Sequence, residues 1–241
     1  MGFYQSFFAI ILLTIVTIAY PVQSQTDSEI SKLEKYLYDR CQNGKPGDFE
    51  KLRTDVYEMY EYMKKVSQLL PNEREYFCKT ERPNLAYRAE QIGKDFNSCM
   101  PKEEKFFGQF FRDSFNGYLH FLCHNHGEYS RRFFSQENTQ CRQTIAQSNS
   151  NDLENCMNRI FPPSKGHIKK AELCDDVTVL RKCFSQLLQV YCPNTSDLKR
   201  LNEIFFDNIE RPCNGALTAF INKTAFFGLV FFTLVFNLVR F

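Results

Sequence analysis

The chain has 241 residues, of which 43% are hydrophobic and 24% charged, with 30 Lys and Arg against 28 Asp and Glu. Nucleic-acid binding needs a cationic surplus gathered on one face, whereas these charges nearly cancel and interleave as on solvated helix faces, in Lys32-Leu-Glu-Lys35 and Lys102-Glu-Glu-Lys105. Ten cysteines in such a chain argue for an oxidising compartment and against the cytosol.

The first residues read as a secretory signal peptide, 1–24. An apolar stretch from Phe7 to Ala19 is too short to span a bilayer, and Pro21 and Val22-Gln23-Ser24 supply an extended, small-residue cleavage site after Ser24. The usual basic residue before the apolar stretch is missing. Met1-Gly2-Phe3-Tyr4-Gln5-Ser6 also satisfies the N-myristoylation pattern, but that reading implies a cytosolic protein, against the cysteine content.

Helices are predicted over 29–38, 48–70, 73–79, 85–97, 103–124, 136–146, 152–160, 177–190 and 196–208. The clearest is the second, where Phe49, Leu52, Val56, Met59, Met63, Val66 and Leu70 recur at threes and fours behind Asp48 as N-cap. Lys45-Pro-Gly-Asp48, Glu81-Arg-Pro-Asn84, Phe161-Pro-Pro-Ser-Lys-Gly166 and Cys192-Pro-Asn-Thr-Ser196 read as breaks between helices. No pair of alternating runs joined by a tight Asn-Gly turn suggests a hairpin. The expected fold is therefore all-α, a disulfide-stapled bundle of short helices in a single domain over residues 25–214.

Cys41, Cys78, Cys99, Cys123, Cys141, Cys156, Cys174, Cys183, Cys192 and Cys213 all lie between the two chain ends. Their even number implies five disulfides, with the pairing left open by sequence. No C-x-x-C occurs, which removes the common zinc and thioredoxin spacings. Cys174, Cys183 and Cys192 are spaced by nine, so successive thiols point to opposite sides of a straight helix and reach different neighbours.

Three histidines cluster in His120-Phe-Leu-Cys123-His124-Asn-His126-Gly-Glu128. His120 and His124, one helical turn apart, could share a metal completed by His126 or Glu128. Against this, Cys123 is a disulfide half, and Asn125-His126-Gly127 reads as a helix end where imidazoles cap carbonyls. Glu103-Glu104 and Asp175-Asp176 read as helix-start charges, because neighbouring acids point apart rather than across a cleft. There is no hydrolase motif, phosphate loop or spare thiol, so no catalytic residue and no cofactor is expected. Phe106-Phe107, Phe110-Phe111, Phe115 and Tyr118 form a broad apolar face that reads as core, or else as the wall of a pocket for a hydrophobic ligand.

Asn194-Thr195-Ser196 is an N-glycosylation sequon in a loop, so Asn194 is an expected glycan acceptor; Asn222-Lys-Thr224 is a second sequon within the tail. Cys213-Asn214-Gly215-Ala216, an eight-residue spacer and an apolar stretch to Val239 have the parts of a glycosylphosphatidylinositol (GPI) attachment signal over 215–241, with Asn214 as attachment residue. A short single-pass span and a buried helix are the other readings of this tail. Removing Lys223 and Arg240 with it leaves 28 basic and 28 acidic residues.

From Phe77-Cys78 onward a ladder of landmarks accumulates: Cys99-Met-Pro-Lys-Glu-Glu-Lys105, Phe121-Leu-Cys123-His-Asn-His-Gly127-Glu128, Arg132-Phe-Phe134, Leu173-Cys174-Asp-Asp176, Cys192-Pro, Asp197-Leu198 and Arg211-Pro-Cys213. This ladder resembles the insect 27 kDa hemolymph glycoproteins over most of residues 29–213. The resemblance implies a secreted helical glycoprotein with no established enzymatic activity, and it implies no site residues. The apolar tail departs from a freely circulating protein and favours a tethered one. The expected function is thus non-catalytic extracellular binding of a protein, a surface or a hydrophobic small molecule, with membrane attachment only through the tail or a lipid anchor. A secreted factor that coats surfaces and a metalloenzyme built on His120, His124 and His126 are the alternatives.

Overall fold

The structure is a computed structural model that describes residues 38–41, 44–148, 167 and 169–214. The signal segment, nearly all of the predicted helix 29–38, the helix 152–160 with Cys156, the Phe161–Gly166 break, and the tail with Asn222 lie outside the described residues. Among the described residues the fold is all-α, with no strand. Its helices are α1 (Asp48–Ser67), α2 (Arg82–Cys99), α3 (Phe106–Cys123), α4 (Glu128–Phe133), α5 (Gln136–Ser148), α6 (Lys170–Tyr191) and α7 (Ser196–Ile209).

The central element is α3, flanked by α2 and α7, with α1 outside α2 and α6 outside α7. Glycines set how closely these helices approach. A Cβ on Gly108 would stand 2.2 Å from the Gly93 carbonyl oxygen, so α2 and α3 touch backbone to backbone; one on Gly117 would stand 2.0 Å from the Asn208 oxygen, where α3 meets α7. Aromatic rings fill the space beside these contacts. Phe96 meets Phe107 edge-on at 5.2 Å, Phe111 stacks beside Phe115 at 5.9 Å, and Phe205 packs edge-on against Phe121 at 5.6 Å. Phe107, Phe110, Phe111, Phe115 and Tyr118 are all buried in this core, so most of the aromatic face predicted on α3 serves packing. Burial also pushes the Tyr118 phenol far above its ordinary range and keeps it neutral. A smaller core of Ile145, Leu187, Leu188 and Leu198 lies under α5.

Four disulfides staple the bundle: Cys41–Cys99, Cys78–Cys123, Cys141–Cys192 and Cys174–Cys213. Cys183 is also disulfide-bonded. Cys174 and Cys192, two nine-residue steps apart, reach different partners, one beyond the end of α7 and the other on α5.

Several local expectations need correction. The predicted helices 73–79 and 85–97 form one continuous path, because Arg74–Tyr76 passes through a π turn, Phe77–Glu81, into α2. In that turn the Arg82 N–H reaches back to the Phe77 carbonyl, and Pro83, which has no N–H to offer, stands in the first turn of α2 where none is required. Glu81-Arg-Pro-Asn84 therefore widens a helix instead of breaking it. At the start of α1 the N-cap is Gly47, at φ 92°, and not Asp48, whose carboxylate accepts the Lys45 N–H at 2.8 Å. Helix α6 begins seven residues earlier than predicted, at Lys170, where a capping box joins Lys169 and Glu172. Asp175-Asp176 consequently lie inside the helix. Glu104 is no solvated charge: it is fully buried, within 3.7 Å of Arg40 and 3.8 Å of His167.

Candidate functional site

One face of α3 is not consumed by the core. Phe106, Gln109, Asp113, Asn116 and His120 follow one another at threes and fours and, with the core residue Phe110 at its inner edge, form the floor of a groove of about 680 Å³, open to solvent. Gly117 continues this floor beside its contact with α7.

The rim is cationic. Arg82 enters from the start of α2, Lys170 from the start of α6 and Arg211 from the helical turn after α7. Among the described residues none of the three has an ion pair or hydrogen bond from its side chain, and Lys170 and Arg211 are exposed. The single carboxylate of the lining, Asp113, is already held by Arg112 Nε at 2.9 Å. The groove therefore carries three uncompensated positive charges over a floor that is part apolar and part amide. A second depression of about 390 Å³, between α1 and α2, is electrically balanced. There Arg88 pairs with Glu58 at 3.7 Å and lies over the Tyr62 ring at 4.5 Å.

His120 reports the field in the groove. Its Nδ1 is 3.0 Å from Asn208 Oδ1, and the Asn208 amide donates to the Ile204 carbonyl at 2.8 Å. With Oδ1 thus turned toward the imidazole, Nδ1 carries the proton and Nε2 is the unprotonated nitrogen of the neutral ring. Burial, then the positive charge of Arg211, hold its pKa below the ordinary value of 6.5, with smaller contributions in the same direction from His124 and Arg82 and an opposing one from the Asn208 bond.

His124 stays beside His120, with ring centroids 5.6 Å apart, while His126 does not line the groove. The His124 ring lies flat on Tyr129, with centroids 4.4 Å apart. Asn125, His126 and Gly127 run through left-handed backbone (φ 47°, 57° and 80°), which leaves His126 exposed. The helix end is closed by backbone, with the Gly127 and Glu128 N–H groups both donating to the His124 carbonyl, and not by imidazoles. Glu128 accepts from Asn125 Nδ2 at 2.9 Å. Among the described residues no group of three His, Cys, Asp or Glu side chains is placed to hold a metal ion. Asn194 is exposed in the turn between α6 and α7, and Asn214 is exposed at the end of the turn that carries Arg211. No described helix is long and apolar enough to cross a membrane.

A family model described as "Protein of unknown function (DUF1397)" matches residues 48–214, more than half of the chain. The chain belongs to this family. The DUF1397 span takes in α1 through α7, the whole groove and every cysteine but Cys41. No curated protein and no solved structure matches the chain.

The groove was missed in the sequence because its cations come from positions 82, 170 and 211, far apart in the chain. A faint signal existed in the polar residues 109, 113, 116 and 120, which share one helical face that the Phe doublets leave open.

Proposed function

We propose that this chain is a non-catalytic extracellular binding glycoprotein, related to the insect 27 kDa hemolymph glycoproteins, which holds a small anionic ligand with an apolar part in the groove on α3. The observation that carries this reading is the cationic rim: three unpaired positive side chains from three elements converge over two aromatic rings and two side-chain amides. Uncompensated like charges repel, and an anion relieves that repulsion. The apolar contribution of Phe106 and Phe110 then suits an amphipathic ligand better than a bare ion.

Export is supported by the disulfides, which form and persist where thiols are oxidised, and the exposed Asn194 is accessible to a glycan. In this reading residues 1–24 are removed, residues 25–214 act as one cysteine-rich domain, and Asn214 receives a GPI anchor in place of the tail.

The binding test uses the full chain secreted from insect cells and a fluorescent fatty-acid probe. Saturable binding that is lost in the Arg82→Gln/Arg211→Gln double variant, with the probe recovered unaltered, is the expected result. Undiminished binding by the double variant, or chemical conversion of the probe, contradicts the reading. Tethering is tested separately with phosphatidylinositol-specific phospholipase C, which should release the protein from the cell surface; retention on the membrane argues for a spanning tail.

A further inference from the structure

We infer that the groove on α3 is built for a phosphate monoester, with Arg82, Lys170 and Arg211 meeting its oxygens and Phe106 and Phe110 contacting the group esterified to it. This inference rests on the groove being the binding site and narrows the ligand class.

Charge and donor count favour phosphate over carboxylate. A monocarboxylate carries one charge and two oxygens, so against this rim it leaves at least one cation without a partner. A phosphate monoester near neutral pH carries between one and two negative charges on three terminal oxygens, enough for each of three cations to meet one. Arginine offers a planar fork of donors suited to phosphate, and two of the three cations are arginines, while lysine contributes a mobile point charge. Asp113 does not oppose the anion, since Arg112 already neutralises it. The amides of Gln109 and Asn116 on the floor add uncharged donors. Lys170 is also the first residue of a 22-residue helix whose positive dipole end reinforces the field.

His120 provides an internal reporter. Arg211 and Arg82 both oppose its protonation, and His124 does so from one turn along the helix. An anion seated among the cations screens them, so the imidazole becomes easier to protonate when ligand is bound.

Calorimetry on the full secreted chain with phenyl phosphate, inorganic phosphate and benzoate tests the inference. Phenyl phosphate should bind most tightly, Arg82→Gln and Arg211→Gln should each weaken it about tenfold, and the His120 titration should move upward on its addition. Lys170→Gln, at an exposed position, serves as an independent variant if Arg82→Gln disturbs the fold. A flotation arm with vesicles containing phosphatidic acid separates the sources of this chemistry. Binding only to vesicles, sensitive to the same substitutions, assigns a lipid headgroup; binding of phenyl phosphate in solution assigns a soluble ester. If benzoate or the fatty-acid probe binds as tightly as phenyl phosphate and Arg211→Gln weakens it, the phosphate inference falls and the groove remains a binding site. If none of these probes binds, or binding ignores all three substitutions, both fall.

Discussion

Gly117 has no room for a side chain, because a Cβ there would meet the Asn208 carbonyl at 2.0 Å and its carbon at 2.7 Å, both backbone atoms that cannot rotate away. Gly117→Ala must therefore separate α3 from α7, and a loss of about 3 kcal/mol is expected in urea unfolding. Because Asn208 also holds His120, the same substitution should disturb the His120 resonance. His120 itself makes stability depend on pH. Its pKa is lower folded than the ordinary 6.5, so the unfolded chain binds more protons, and its contribution is complete above 6.5 and fades as pH falls below that value. Comparing unfolding free energies between pH 5 and 7, His120→Gln should show a shallower rise with pH than the natural chain; parallel curves would refute this. At this scale the sequence was a good guide to burial and a poor one to partners. Phe107, Phe111 and Phe115 read as core and are core. Glu104 read as a surface acid, yet its partners Arg40 and His167 stand far from it in the chain.

At the scale of helices, periodicity located α1, α3, α5 and α7 to within a few residues, because each has one apolar stripe with turn residues beyond its ends. It failed where a local breaker was overruled. Pro83 suggested a boundary, but a π turn absorbs the missing donor and Cys78–Cys123 fastens that turn to the end of α3. It also missed α4, whose six residues are too few to show a period and which is set instead by the left-handed run before it. The disulfides join elements that periodicity could not pair. Cys141–Cys192 closes a separation of 51 residues and anchors α5, so replacing both cysteines with serine should cost about 4 kcal/mol by the chain-entropy argument. A change below about 1 kcal/mol in denaturant unfolding would show that the smaller core holds α5 unaided. Among the described residues no cysteine is free, and Cys183 is bonded outside the four pairs above, so the ten cysteines of the sequence predict Cys156 as its partner. Non-reducing peptide mapping should recover that linkage, and any other pairing of Cys183 contradicts it.

Over the whole molecule, stability is unevenly distributed. The main core joins α1, α2, α3, α7 and the first half of α6, whereas the second core comprises a handful of side chains between α5, the end of α6 and the start of α7. Hydrogen exchange under native conditions should therefore be slowest in α3 and faster in α5, and reduction should widen that gap, since α5 loses its covalent tie to Cys192. Equal protection of the two helices would mean one cooperative unit. The groove lies against the stable part, on α3, with rim residues on three elements fixed by that same core. Cys174–Cys213 holds the start of α6 to the turn after α7, and so carries Lys170 and Arg211 on either side of one covalent link. A rim fastened in this way keeps its cations together without a ligand, which lowers the ordering cost when an anion arrives. Sequence alone could specify such a bundle but not this convergence, because residues 82, 170 and 211 become neighbours only once α3 has its flanking helices.

The most direct measurement is a crystal structure of the full secreted chain soaked with phenyl phosphate. Difference density is predicted between Arg82, Lys170 and Arg211, with phosphate oxygens at hydrogen-bond distance from the two guanidinium groups and the ring against Phe106 or Phe110. Density seated elsewhere, or an unchanged groove at a ligand concentration that saturates binding in solution, would contradict the account.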